Sequence, residues 1–297
     1  MIGLIKTMRI HQWTKNSLIF AALIFSKNLS NTDLLLRAVV AFCSFCLLSS
    51  AVYIVNDVLD ADKDRLHPKK RNRPIAAGKV PIPAALGFAV LLAILSFVIA
   101  SRVGEGYTLL LILGGYLFIN ACYCLVLKRV VIADVLTLAV GFLLRIKAGG
   151  VAVGVPLSPW LILCTFFLAS FLAICKRRSE LALTGEAAGA RTVLADYSFP
   201  ILDVLVAVTA SVSLMTYALY TVAAETVNHF DTTGIIYTLP VVLFGIGRYI
   251  FLVYQRKEGE DPAAVILTDG GIILAVVLWL AIAIFAVYGG MGEVIGK

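Results

Sequence analysis

Nine long apolar runs separated by short polar loops leave this chain few folds to choose from. They cover approximately Thr14–Ser26, Leu34–Val55, Pro83–Ser101, Tyr107–Leu127, Val130–Gly150, Trp160–Cys175, Ile201–Ala224, Gly234–Tyr254 and Gly271–Tyr288. A bilayer core takes about 20 apolar residues per helix. Inside it, every backbone N–H and C=O must be satisfied within the protein. The expectation is an all-α polytopic membrane protein with nine transmembrane helices. Apolar residues at 61% against 14% charged exclude an ordinary soluble domain, which sits nearer 45–50% and about 25%. The first run is short and borrows the amphipathic lead Met8–Trp13. No small-residue cleavage site follows it, so no cleavable signal is expected.

Most Lys and Arg fall on alternate loops: around Lys6 to Lys15, Lys63 to Lys79, Lys128–Arg129, Lys176 to Arg191 and Arg256–Lys257. The positive-inside rule then puts the N-terminus and these loops in the cytoplasm and the C-terminus outside. The net charge of +7 reports that topology, and no nucleic-acid partner is expected. Cys43-x-x-Cys46 has no accompanying His or loop ligand, so the six cysteines read as packing residues rather than a metal or redox site.

Asn56-Asp57-x-x-Asp60-x-x-x-Asp64 stands where the second run ends. On a helix Asp57, Asp60 and Asp64 share one stripe, with Asn56 at its edge and Asp62 pointing away. Three carboxylates on one face repel unless a cation lies between them. Mg²⁺ takes one or two carboxylates plus phosphate oxygens, so the stripe suits a Mg²⁺–diphosphate complex. The dull alternative is a solvated acidic turn. Arg65, Lys69, Lys70, Arg71 and Arg73 follow, more cations than topology requires, and such side chains bind phosphate oxygens.

Other polar positions extend the pattern. Arg9, Gln12, Lys15 and Asn16 share one side of a helical lead; they either anchor topology, or Gln12, Lys15 and Asn16 line a cavity mouth. Tyr53 precedes the stripe. Asp134, one turn inside the fifth span, is costly in a bilayer; it is either functional or paired with Lys128 or Arg129. Arg145 is expected to face the bundle interior, whereas Lys147 equally suits snorkelling. After the sixth span come Lys176-Arg177-Arg178-Ser179-Glu180, in which Lys176 and Arg177 both reach toward Glu180 on a helix. A turn is expected over Thr184–Gly189. The spacing suggests one domain over 1–297, with pseudo-repeats at about 8–128 and 130–257 and a ninth helix at about 271–288. The two four-helix halves would set their polar sites facing each other across a cytoplasmic cavity.

The Asn56–Asp64 pattern resembles the first aspartate-rich motif of the UbiA superfamily of intramembrane prenyltransferases. Arg71-Asn72-Arg73-Pro74 resembles that family's basic continuation. UbiA aromatic prenyltransferases carry a second D-x-x-x-D motif after span six; here Lys176, Arg177, Arg178 and Glu180 stand instead. That departure, with Gln12–Asn16, Gly141–Arg145 and Lys176–Leu181, is similar to the polyprenyl-phosphate (decaprenyl-type) phosphoribosyltransferase branch.

The resemblance implies Mg²⁺-dependent transfer of 5-phosphoribose from phosphoribosyl pyrophosphate to a polyprenyl phosphate, releasing diphosphate. The product would serve lipid-linked pentose and cell-envelope polysaccharide (arabinan) synthesis at a bacterial-type plasma membrane, with the active site on the cytoplasmic side. Asn56, Asp57, Asp60 and Asp64 would be catalytic through the metal. Gln12, Lys15, Tyr53, Arg65, Arg71, Arg73, Lys128, Asp134, Arg145, Lys176, Arg177 and Glu180 would bind substrate phosphates or ribose. The partners are the two substrates and the bilayer, with a homo-oligomer left open. An aromatic prenyltransferase using a polyprenyl diphosphate is the first alternative, and a transporter of anionic lipid or metal the second.

Overall fold

The computed structural model describes residues 2–66, 70–103, 106–184, 192–256, 259 and 261–289, and these residues form helices and connecting turns with no strand. Lys69, Arg191, the turn expected over Gly185–Gly189, Lys257 and Lys297 lie outside the described residues. Among the described residues, eight helices are long and apolar enough to cross a membrane. Contacts divide the chain at Leu157–Ser158 into two compact units.

The first unit contains α1 (Ile2–Thr7), α2 (Ala21–Phe25), α3 (Thr32–Leu59), α4 (Ala61–Leu66), α5 (Ile82–Ala100), α6 (Gly106–Leu125) and α7 (Ala133–Val153). The first apolar run differs from expectation. It is a 3₁₀ segment, Ile10–Phe20, running into α2, rather than a regular membrane helix. A 3₁₀ turn rises about 2.0 Å per residue against about 1.5 Å in an α-helix, so the two pieces together still reach roughly 30 Å, the depth of a hydrocarbon core. Eight regular spans and this stretched segment replace the nine expected helices.

The 3₁₀ segment is fastened to its neighbours by three devices. Gly149 of α7 lets the backbone approach, because a Cβ there would lie 2.0 Å from the Ile19 carbonyl oxygen. Trp13 donates its indole N–H to Ser50 on α3 at 3.0 Å rather than lying free at an interface. Buried Arg145 donates from Nε to Asn16 at 2.7 Å, and also to the Gly141 carbonyl and the Tyr116 hydroxyl. Around this network Ile19, Phe45, Leu48, Leu109 and Leu113 form a fully buried core.

Helix α3 is capped by Asn31, whose side chain accepts from the Asp33 and Leu34 N–H groups. Its 28 residues exceed what a core of about 30 Å needs at about 1.5 Å per residue. The helix is therefore longer than the hydrocarbon is deep, and its last turn carries Asn56 and Asp57. Along α5, Val90, Leu91, Ile94, Leu95 and Val98 are exposed, as lipid-facing side chains should be.

The second unit contains α8 (Pro159–Thr184), α9 (Phe199–Val222), α10 (Ala224–Phe230), α11 (Leu239–Gln255), α12 (Pro262–Thr268) and α13 (Gly270–Tyr288). Three polar ties hold it. Arg178 donates to Asp203 at 2.6 Å and stacks on Tyr254, whose hydroxyl donates to the same carboxylate. Arg248 forks onto Asp269 at 2.8 and 3.1 Å, and Asp269 also caps α13 through the Ile272 N–H. The Trp279 indole donates to the Tyr217 hydroxyl, which shares a 2.5 Å hydrogen bond with Thr238. The sequence shows little polarity in this third of the chain, yet each of these groups finds a partner.

Candidate active site

Asp60 ends α3. Its backbone (φ −100, ψ 5) leaves the helix while its N–H still bonds the Asn56 carbonyl, and α4 resumes one residue later. The stripe is therefore bent at its middle member. Asp57 and Asp64 are buried and turn to one side, where Arg73 Nη1 lies 3.1 Å from Asp57 and 2.5 Å from Asp64. Arg9 pairs with the same Asp57 oxygen and lies over the Tyr53 ring, 5.3 Å from its centroid. Asp60 turns instead to Lys128, whose ammonium lies 2.7 Å away. Asn56 accepts a 3.3 Å hydrogen bond from the Cys124 thiol. Among the described residues no group of three His, Cys, Asp or Glu converges as a ready metal cage.

Two carboxylates aimed at one cationic nitrogen make a strong point of negative potential. Oxygen donors of this kind suit a hard divalent ion, which needs only one or two carboxylates when phosphate completes its shell. In chemistry and direction, Asp57 and Asp64 fit such an ion at the place that Arg73 Nη1 now fills. Asp60 faces elsewhere.

The remaining expected residues scatter. Arg65 bonds Asp62 at 2.7 Å and the Ala76 carbonyl at 3.2 Å, closing its own loop rather than joining the stripe. Arg71 is exposed, Lys15 half-buried and Gln12 buried. Asp134 is fully buried in the first turn of α7. It follows Ile132, whose φ of +67 forms a tight γ-turn closed by an Ala133 N–H to Val131 carbonyl bond. Arg145 belongs to the buried network described above, and Lys147 is exposed. On α8 of the second unit, Arg177 is fully buried and pairs with Glu180 at 2.6 Å, while Lys176 stands 4.0 Å from the same carboxylate. Sequence reasoning left Arg9 out of the site. Its place among polar residues on one side of the lead was the available signal.

Residues 17–268 match the UbiA prenyltransferase family. The chain belongs to this family. Its UbiA character extends to curated relatives. The chain is 35% identical to the decaprenyl-phosphate phosphoribosyltransferase of Corynebacterium glutamicum, over 96% of this chain and 87% of that one. It is 33% identical to the protein of the same name from Mycolicibacterium smegmatis, over 96% and 92%. A UbiA homolog from Archaeoglobus fulgidus, solved with GPP and Mg²⁺, has the same fold: TM-score 0.73 at 20% identity, covering 96% of this chain and 99% of that one. The all-helical membrane architecture is thus that of the family.

Proposed function

We propose that this UbiA-family protein transfers 5-phosphoribose from phosphoribosyl pyrophosphate to a polyprenyl phosphate of decaprenyl type, releasing diphosphate. The observation that carries the reading is the joint aim of Asp57 and Asp64 at a single cationic point. The names of relatives sharing 33–35% identity over nearly the whole chain support the substrates. Lys176, Arg177 and Glu180, standing where a second carboxylate pair would bind a second metal, support direct binding of a monophosphate, such as that on the donor's ribose, over a second metal-held diphosphate.

Asp57 and Asp64 would hold Mg²⁺, with Asn56 and Asp60 adjoining; when bound, the ion neutralises charge developing on the departing diphosphate. Arg9 and Arg73 would then turn from carboxylates to phosphate oxygens, while Lys128 stays with Asp60. The ribose C1–O bond to diphosphate breaks, and an oxygen of the lipid phosphate forms the new bond to C1. That oxygen is already ionised, so no strong general base is required. Holding two mutually repelling anions in line is the main catalytic task. By the distribution of Lys and Arg, the reaction faces the cytoplasm, and the lipid-linked phosphoribose suits a role as pentose precursor for envelope polysaccharide.

The test is to incubate purified protein, Mg²⁺ and polyprenyl phosphate with phosphoribosyl pyrophosphate labelled in the ribose. Label should enter the lipid fraction. Absence of label there, with prenyl transfer from a polyprenyl diphosphate to an aromatic acceptor, would overturn the reading.

A further inference from the structure

A pocket of about 190 Å³ lies on the other side of Asp60, bounded by Leu59, Lys63, Cys124, Leu125, Lys128 and Arg129. We infer that this pocket is the docking site for the phosphate monoester of the lipid acceptor. That assignment of the ligand rests on the phosphoribosyl reading above.

The charge balance favours an anion. Asp60 is the only carboxylate in the lining, and Lys128 neutralises it at 2.7 Å. Lys63 and Arg129 remain, both exposed and without an ion-pair partner among the described residues. They sit beside the last turns of α3 and α6, whose negative dipole ends offset only a fraction of one charge each. The surplus is positive and has no metal-type ligand set around it, so it suits a phosphate held by cations alone.

The walls favour a lipid. Leu59 and Leu125 are the last residues of α3 and α6, and both are more than half exposed. An apolar chain leaving the pocket along them would pass directly from the headgroup level toward the bilayer. The volume agrees, since pockets that enclose whole drug-sized ligands begin near 300 Å³. This one holds a headgroup and the start of a chain, not a complete phosphoribosyl pyrophosphate. Asp60 thus separates two charge environments: carboxylates with their cations on one side, and cations with apolar walls on the other.

The experiment uses the full chain in nanodiscs of zwitterionic lipid, with farnesyl phosphate as a soluble acceptor. Binding of labelled farnesyl phosphate is measured without the donor, and KM for each substrate is measured in turnover. In the double variant Lys63→Gln/Arg129→Gln, farnesyl phosphate binding should weaken about tenfold or more, the scale of one charge-assisted contact. Its KM should rise in step, while KM for phosphoribosyl pyrophosphate stays within about twofold. Both positions are exposed, so the variant should fold. Unchanged acceptor binding, or a shift in the donor KM instead, would overturn the assignment. So would competition by inorganic phosphate as strong as by farnesyl phosphate, which would mean that the apolar walls contribute nothing. Equal competition by phosphatidylglycerol would make this a general anionic-lipid site and overturn it too. If the wild type transfers no ribose yet the double variant still loses farnesyl phosphate binding, the pocket stands and the phosphoribosyl reading falls.

Discussion

Asp60 accepts a hydrogen bond from Lys128 at 2.7 Å across 68 residues of chain. The carboxylate that ends α3 is thereby tied to the loop after α6, while its neighbours Asp57 and Asp64 share Arg73. One acidic stripe is divided between two sets of cations.

That division leads to the first prediction. Asp57→Asn and Asp64→Asn should each reduce transfer by at least about a hundredfold, the scale on which a transition-state charge contact is lost. Higher Mg²⁺ should restore little of it. Asp62→Asn is the control, because Asp62 is exposed and among the described residues pairs with Arg65 alone; its rate should match the wild type. Turnover measured across a Mg²⁺ titration checks all three, and near-normal rates for Asp57→Asn would remove the metal assignment.

A second prediction concerns α8. Lys176→Ala should weaken transfer by roughly 2–5 kcal/mol if Lys176 grips a phosphate, with no rescue by Mg²⁺. Arg177→Ala should also destabilise the protein, because it leaves the buried Glu180 without its 2.6 Å partner. Glu180→Gln should not regain activity at high Mg²⁺. Recovery of Glu180→Gln alone, with Lys176→Ala near wild type, would point to a second metal site.

Stability tests the fastening of the N-terminal segment. Arg145→Leu takes the guanidinium donor from the Asn16 amide oxygen and the Tyr116 hydroxyl, and should cost about 3 kcal/mol. Gly149→Ala forces a Cβ against the Ile19 carbonyl and should cost roughly 1–3 kcal/mol. Thermal melts in detergent report both. A Gly149→Ala melt equal to the wild type would show that the close approach is not needed.

The fourth prediction is one of pH. Hydrogen bonds from Arg248 hold the Asp269 carboxyl down to about 2, below the ordinary value near 3.9. A depressed folded pKa stabilises the protein above the unfolded value, and this support is lost as pH falls from about 4 through about 2. Asp269→Asn should therefore lower the melting temperature at pH 7, and the gap from the wild type should narrow at pH 3. A gap that widens on acidification would contradict the ion pair.

Much of this was legible in sequence because hydropathy and helical spacing are local signals. The runs that became α3, α5 to α9, α11 and α13 follow from residues close together in the chain, as does the nearness of Asp57 to Asp64, whereas the turn of Asp60 toward Lys128 does not. What escaped was partner choice over long separations. Arg9 reaches Asp57 across 48 residues and Arg145 reaches Asn16 across 129, and no periodicity encodes either. Local rules also fail for Ile10–Phe20. Its spacing reads as a helical lead, and its ties to Ser50, Arg145 and Gly149 are long-range contacts that no local pattern encodes.

That winding sets the reach of the segment. If the eleven residues rewound as an α-helix, the segment would shorten by roughly 5 Å, at about 0.5 Å per residue, and each side chain would swing by about 20° relative to the last. With Ile19 pinned against Gly149, the slack would be taken up at the other end, where Arg9 stands beside Asp57. A retreat of that size exceeds the reach of a hydrogen bond. The pitch of one short segment thus decides whether the acidic cluster keeps its second guanidinium.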